Sequence, residues 1–309
     1  MSMQRFVGID VAKAELAMHV LPDGLAWTQA NTPKEHACLA ERLAQMGCER
    51  IVLEASGGYE QAVLQTLRQA GLPAVRMPAH RPRALAQALG LKAKTDALDA
   101  RLLAIAAQCI HAQPTAVLPA PLQALRELLH LRSTLVAQRD AQRRCLEHVT
   151  CEAVRDQWRQ VIALLQQRIG ELSRQIAQAG AACSDLPKLP GLGPILRATL
   201  AARLPELGTV PARKIVALVG LAPFNRDSGR WRGLRRIQGG RADVRRVLYM
   251  ATWASIRTGS PLAHTYARLT AAGKPAKVAI VACMHKYLRW LNAIARDRAP
   301  YAPPAIAAA

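Results

Sequence analysis

The opening RFVGIDVAKAELAMHVL, residues 5–21, places two strand-length apolar runs only three residues apart, and the first ends in an acid. A connection that short leaves an antiparallel hairpin as the economical fold, because parallel neighbours need a crossover of a dozen residues or more. LAWTQANT (25–32) reads as a third strand. PKEHACLAERLAQMG (33–47) has helical spacing, opens on proline and closes on glycine, as helices do at their two ends. RIVLEAS (50–56) is a buried strand, again with an acid near its C-terminal end. Helix 59–71, strand PAVRMP (73–78) and helix RPRALAQALG (81–90) follow. Three strands and then helix–strand–helix–strand–helix predict an α/β domain with a mixed sheet and helices packed on it.

Two long, glycine-poor segments come next, LQALRELLHLRSTLVAQRDAQRRCLEHV and AVRDQWRQVIALLQQRIGELSRQIAQA. Each carries a narrow apolar stripe between Gln, Arg and Glu, the pattern of a helical hairpin or coiled-coil arm. LPKLPGLGPILRATL then opens a last segment of helices broken by the arginine- and glycine-rich stretch 222–246. The reading is three domains: 1–115, α/β and catalytic; 116–185, a helical arm; and 186–309, a basic, mainly α domain. The tail APYAPPAIAAA is expected to fray.

Charge divides along the same lines. Residues 1–115 carry 12 basic and 10 acidic groups, 116–187 carry 9 and 7, and 188–309 carry 21 and 4. The last part is a polycation with few acids to relieve its self-repulsion, so its expected partner is a polyanion, bound with release of phosphate counterions. PGLGP supports this. Gly191 and Gly193 lead into a helix N-terminus, where bare backbone amides and the helix dipole favour a phosphate, as in a helix–hairpin–helix clamp. Arg226, Arg230, Arg232, Arg235, Arg236 and Arg241 are the further candidates for nucleic-acid contact, with Lys92 and Lys94 in the front part. Aromatic residues are only 4% of the chain, so base-stacking platforms are scarce, with Trp231, Trp253 and Tyr249 the nearest to the arginines.

No apolar run reaches the 18 residues of a membrane span, and MSMQRFVGID lacks the layout of a signal peptide. The seven cysteines are scattered and none forms CxxC, so neither a zinc site nor a disulfide framework is expected. Reduced, mostly buried thiols in a cytoplasmic, nucleoid-associated protein without membrane contact are the expectation.

Four acids carry the chemistry. Asp10 ends the first strand and Glu54 ends a later one. In LKAKTDALDARLLA, Asp96 and Asp99 stand at i and i+3, so they share a helix face. Strand ends on one sheet edge, crossed by such a helix, can bring all four together. Clustered carboxylates repel unless a hard cation neutralises them, and Mg²⁺ takes oxygen ligands. Paired ions of that kind promote phosphoryl transfer.

FVGIDVAKAELAMHV, IVLEASGGY and LKAKTDALDARLLA, in that order and spacing, resemble the N-terminal half of the DEDD transposases of the insertion-sequence 110 family. LPGLGPILRATL, GLAPFNRDSGRWRGLRRIQGGRADVRRVLYMA and GKPAKVAIVACMHKYLRWLNA resemble its C-terminal domain. The resemblance implies a RuvC-like, RNase H-like first domain with Asp10, Glu54, Asp96 and Asp99 as the Mg²⁺-binding tetrad. One departure is Ser56, where threonine is more usual. It also implies a catalytic serine, best matched by Ser228 in RDSGRWRG, with Ser255 and Ser260 as alternatives. The implied activity is recombination of donor and target DNA through a phosphoserine link, by a dimer or tetramer whose arms give dimer contacts, guided by a structured bridge RNA. Two other readings fit the residues: a RuvC-like junction endonuclease using metal-activated water, and a non-catalytic nucleic-acid-binding protein.

Overall fold

The structure is a computed structural model that describes residues 4–90, 96–111, 113–115, 118–224, 227–228, 231–232 and 236–298. For Asp96, Ala97, Asp227, Ser228, Trp231 and Arg232 the description is of the backbone. The chain divides into two compact units, Met1–Leu118 and Pro119–Ala309.

In the first unit, β1 (Arg5–Val11), β2 (Glu15–Leu21), β3 (Ala26–Ala30), β4 (Cys48–Glu54) and β5 (Ala74–Met77) form one sheet in the order β3-β2-β1-β4-β5. β2 is antiparallel to β1 and β3, whereas β4 is parallel to β1 and β5. This mixed sheet, a meander followed by parallel crossovers, is the RNase H-like arrangement expected from the sequence. Helices α1 (Pro33–Met46), α2 (Glu60–Gln69), α3 (His80–Ala88) and α4 (Asp96–Cys109) complete the unit. The ends of α1 follow their sequence signals. The Thr32 hydroxyl accepts from the Glu35 amide, Pro33 opens the helix, and Gly47 closes it at φ 65°.

The period-two alternation of β1 sends its residues to two different cores. Val7, Ile9 and Val11 pack with Leu39 and Leu43 of α1 and Val63 and Leu67 of α2. Phe6 lies on the opposite face, with Val52 of β4, Val75 and Met77 of β5, and Leu103, Ala106 and Ala107 of α4. The α4 face of the sheet therefore carries positions 6, 8 and 10 of β1 and 52 and 54 of β4.

In the second unit, α5 (Ala120–Leu146) and α6 (Glu152–Ala182) form an antiparallel helical hairpin. Arg132 Nε donates to Ser173 Oγ at 2.8 Å, and Arg139 Nη1 donates to Gln166 Oε1 at 2.9 Å. At its base Leu125, Leu129 and Ile176 bury against Ala198 and Ala202 of α7 (Pro194–Arg203). A Cβ on Gly180 would stand 2.7 Å from the Ala198 Cβ, so the bare glycine is what lets α6 and α7 approach. Away from the base the hairpin is open to solvent, with Leu131, Val161 and Leu164 exposed.

Helices α8 (Ala212–Val219), α9 (Ala242–Arg257), α10 (Pro261–Ala271) and α11 (Ala276–Asp297) enclose the second core with α7. Leu200, Ile215, Val219, Val244, Leu248, Leu262, Met284, Tyr287 and Leu288 are among its buried members. The arginine-rich stretch read as a loop is folded further than expected. β6 (Pro223–Phe224) pairs with β9 (Arg236–Ile237), and β7 (Asp227–Ser228) pairs with β8 (Trp231–Arg232).

One expectation is corrected. The thiols are not mostly buried: Cys48 and Cys283 are, Cys183 is intermediate, and Cys38, Cys109, Cys145 and Cys151 are exposed. The exposed ones lie on helices or helix ends with a solvent-facing side, where a small thiol meets no core. All seven are free.

Candidate functional site

The candidate site lies at the C-terminal edge of the sheet. Ile9 of β1 is in parallel register with Leu53 of β4, so Asp10 and Glu54 follow on neighbouring strands. Strands in a sheet are about 4.8 Å apart, and equivalent positions of the pleat point to one face. Both residues are half-buried, and the Val11 amide donates to Asp10 Oδ1 at 3.0 Å.

Helix α4 crosses this same face at Gly8. A Cβ on Gly8 would stand 2.1 Å from the Ala100 carbonyl oxygen and 2.3 Å from the Ala104 nitrogen. The direction of α4 follows from a second contact: Arg50, paired with Phe6 at the start of the strands, donates to the Ala107 carbonyl at 2.7 Å. The C-terminal end of α4 thus lies at the start of β1 and β4, and its N-terminal turn lies toward their ends. Gly8 to Asp10 spans about 6.6 Å of strand, and the Ala100–Ala104 crossing to Asp99 spans about 4.5 Å of helix axis. Asp99, half-buried, is carried to the edge where Asp10 and Glu54 stand, and Asp96 begins the helix there. Two acids in a first helical turn are also favoured by the helix dipole.

The donor set is all carboxylate, which suits a hard divalent cation and not a soft one. Among the described residues no group of three or more His, Cys, Asp or Glu stands close enough to hold a metal ion. Asp10, Glu54 and Asp99 are thus carried to one edge without forming a metal-holding group by themselves, and the side chain of Asp96 lies outside the described residues.

Glu60 has a role the sequence reading missed. It is fully buried at the start of α2. Its Oε2 accepts from the Gly58 amide at 2.8 Å, the Ser56 amide at 3.2 Å and the Ser56 hydroxyl at 3.4 Å. Its Oε1 accepts from Arg76 Nε at 2.6 Å. One carboxylate thus clasps the turn that follows Glu54 and ties it to β5. Burial pushes the Glu60 carboxyl up, but its hydrogen bonds from the backbone and from Arg76 outweigh this and hold it below the ordinary range. Serine at 56 keeps the hydroxyl that threonine would supply, so that departure costs the clasp nothing. The available signal was an acid two residues after a Gly-Gly pair, which from sequence alone looks like an ordinary first-turn glutamate.

The basic candidates are distributed otherwise. Lys92, Lys94, Arg226, Arg230 and Arg235 lie outside the described residues. Ser228 stands in β7 opposite Trp231, with Asp227 opposite Arg232, and Arg236 is exposed on β9 opposite Phe224. Arg241 makes a bidentate ion pair with Glu206, 2.6 Å on each arm, and also donates to the Arg203 carbonyl, so it fastens the end of α7 to the start of α9. Gly191, at φ 82°, fits against α9, where a Cβ would stand 2.4 Å from the Ala251 carbonyl oxygen. Gly193 is the exposed N-cap of α7, and its amide donates to the Gly191 carbonyl. Ser255 and Ser260 are buried and hydrogen-bonded to each other at 2.9 Å, and Ser260 caps α10. Trp253 is flanked edge-on by Tyr249 and Tyr266.

Comparison with known families gives two matches. Residues 7–150 match the DEDD transposase profile of the IS110 group, and residues 183–268 match the family described as Transposase IS116/IS110/IS902. The chain belongs to the IS110 family of transposases. The chain is 36% identical over 124 residues to the insertion element IS900 uncharacterized 42 kDa protein of Mycobacterium paratuberculosis. That match covers 39% of this chain and 31% of the relative, so the chain spans about a third of that protein's length. Two solved structures of RuvC from Thermus thermophilus, one in complex with a Holliday junction substrate, are each 19% identical. They cover 37% and 36% of this chain and all of their own chains, with TM-scores of 0.28 and 0.27. Its RNase H-like fold rests on the strand order and register above. Among the described residues, no helix is long and apolar enough to cross a membrane.

Proposed function

We propose that the chain is a metal-dependent DNA recombinase of an insertion sequence, with Asp10, Glu54, Asp96 and Asp99 as metal ligands and Ser228 as nucleophile. The observation that carries this reading is the crossing of α4 over Gly8, which takes its acidic first turn to the edge that bears Asp10 and Glu54. Divalent ions, Mg²⁺ in this reading, would be held by those carboxylates and would supply charge neutralisation at the scissile phosphate.

The chain's own residues do the rest. Ser228 Oγ forms a bond to phosphorus, the bond from phosphorus to the leaving sugar oxygen breaks, and the hydroxyl proton of serine passes to that oxygen. Attack by the sugar hydroxyl of the exchanged strand reverses the step and frees the serine. Arg226, Arg230, Arg232, Arg235 and Arg236 share the phosphate charge as it develops. Buried Ser255 and Ser260, bonded to each other, have no open path to a phosphodiester, which favours Ser228. Because tetrad and serine belong to different units of the chain, the reading includes a dimer or tetramer in which they meet, with the α5–α6 hairpin giving dimer contacts. A non-coding bridge RNA pairing with donor and target DNA completes it.

The test is a denaturing-gel assay for a covalent protein–DNA adduct on element-end DNA with Mg²⁺. An adduct in the wild type, lost in Ser228→Ala, is expected. Cleavage that survives Ser228→Ala without any adduct would instead establish the RuvC-like reading, in which metal-activated water attacks. That second reading is favoured by one observation, that Asp10, Glu54, Asp96 and Asp99 all belong to the first unit and Ser228 does not. Salt-sensitive DNA binding with no Mg²⁺-dependent product would leave the non-catalytic reading.

A further inference from the structure

A trough runs between the start of α8 and the outer face of α11. It comprises two adjoining cavities of about 450 and 280 Å³, both of which include Ala212 and Arg289. Lys286, Trp290, Ala293 and Arg296 line the first, and Arg213 and His285 line the second. Among the described residues, no carboxylate lines either one. Arg296 is engaged by Asp297 at 2.7 and 3.0 Å, so the cations open to a ligand are Arg213, Lys286 and Arg289, all exposed.

This arrangement is unfavourable for the isolated protein. Lys286 and Arg289 stand at i and i+3 on one helix face, a spacing at which like charges destabilise a helix. His285, at i−4 from Arg289, has its pKa lowered, first by burial and then by Arg289. In the middle of these cations the Trp290 ring is half-buried, with Lys286 Nζ 5.5 Å from its centroid. The ammonium is also held by the Thr265 hydroxyl at 3.2 Å, which fixes it beside the ring.

We propose that this trough binds single-stranded DNA, with backbone phosphates on Arg213, Lys286 and Arg289 and one base against Trp290. Cations spaced along a concave surface follow a sugar-phosphate chain, and an indole among them offers a stacking face that every base can use. A duplex hides its base faces and could engage only the cations. The choice of DNA over other polyanions rests on the recombinase reading above. The function that follows is to hold a strand released from its duplex during exchange.

The experiment is fluorescence anisotropy of the full chain with a labelled ten-nucleotide thymidine oligomer, across a salt series, beside a duplex of equal length and an RNA oligomer. Lys286→Ala with Arg289→Ala should weaken single-strand binding at least ten-fold. It should also reduce the slope of log affinity against log salt by about 1.4, as expected for two lost phosphate contacts. Arg257→Ala with Lys274→Ala, which removes equal charge from exposed positions outside the trough, should change affinity less than three-fold. Trp290→Leu, with its fold checked by circular dichroism, should weaken single-strand binding at least five-fold and leave duplex binding unchanged. Equal losses from the two double variants, or equal losses for single strand and duplex with Trp290→Leu, would overturn the proposal. So would a wild type that does not bind the oligomer, or one that prefers RNA ten-fold. Asp99→Asn separates this from the recombinase reading. It should abolish strand transfer while binding the oligomer normally, and a wild type inactive in strand transfer would count against the recombinase reading alone.

Discussion

Gly8 and Ala100 are in backbone contact: a Cβ on Gly8 would stand 2.1 Å from the Ala100 carbonyl oxygen. The strand and the helix that bear the candidate acids are thus registered by the absence of one side chain. Both obstructing atoms, the Ala100 oxygen and the Ala104 nitrogen, are backbone and cannot rotate away. Gly8→Ala must therefore push α4 off the sheet. The expected cost is about 1–3 kcal/mol of stability, as for other overpacked cores. Strand transfer should fall more than ten-fold even where the variant is fully folded, because Asp96 and Asp99 move with the helix. Urea unfolding and a strand-transfer assay on the same preparation check both effects. Wild-type values in both would show that α4 does not set the position of the acids.

A second prediction concerns the metal itself. Asp10→Asn, Glu54→Gln and Asp99→Asn each remove one proposed anionic ligand and leave the shape of the side chain nearly unchanged. Each should weaken Mg²⁺ or Mn²⁺ binding, measured by isothermal titration, and each should abolish strand transfer. Chelation of the wild type with EDTA should do the same and leave nucleic-acid binding intact, since the charge that binds phosphate lies in residues 188–309. If the three variants bind metal as the wild type does, the tetrad assignment is wrong.

Glu60 gives a pH signature. Its folded carboxyl titrates below the unfolded range, so its contribution to stability is present above the unfolded pKa and is lost as pH falls through the folded one. Acid unfolding of the wild type should show that dependence below about pH 4.3, the ordinary glutamate value. Glu60→Gln keeps the size but leaves Arg76 and the Ser56 and Gly58 amides without their anion. It should lower stability at pH 7 and flatten the profile between pH 5 and 3. A thermal-unfolding series over that range measures both. An unchanged slope would mean that the Glu60 carboxylate does not hold the turn after Glu54.

The front of the chain was legible because its periods are clean. Alternation in RFVGIDV and ELAMHVL gave the β1–β2 hairpin, and Pro33 with Gly47 gave the ends of α1. An isolated glycine in a strand is itself a signal of close backbone approach, and Gly8 is such a case. The ladder formed by residues 223–237 was not legible. Its strands are two residues long, too short to show alternation. The trough on α11 escaped notice for another reason. Its cations come from α8 and α11, far apart in sequence, and only the packing of the two helices makes them neighbours. Gly191 had a signal that pointed two ways, since a glycine before a helix suits a phosphate clamp and a close helix contact equally. The structure places it against Ala251.

The serine assignment can be separated from serine structure. Ser260 caps α10, its oxygen accepting from the Leu262 amide at 3.3 Å, and it also shares a hydrogen bond with Ser255. Ser260→Ala removes the cap and leaves one buried hydroxyl short of a partner, which should cost about 1–2 kcal/mol. Once folded, that variant should still form the covalent adduct at the wild-type rate. Ser228 stands in a two-residue strand paired with Trp231 and Arg232. The thermal midpoint of Ser228→Ala should stay within 2 °C or so of the wild type, as for surface substitutions of a few tenths of a kcal/mol, while the adduct disappears. The opposite pattern, adduct lost with Ser260→Ala at full folding and kept with Ser228→Ala, would move the nucleophile to α10 and require that helix to open before catalysis.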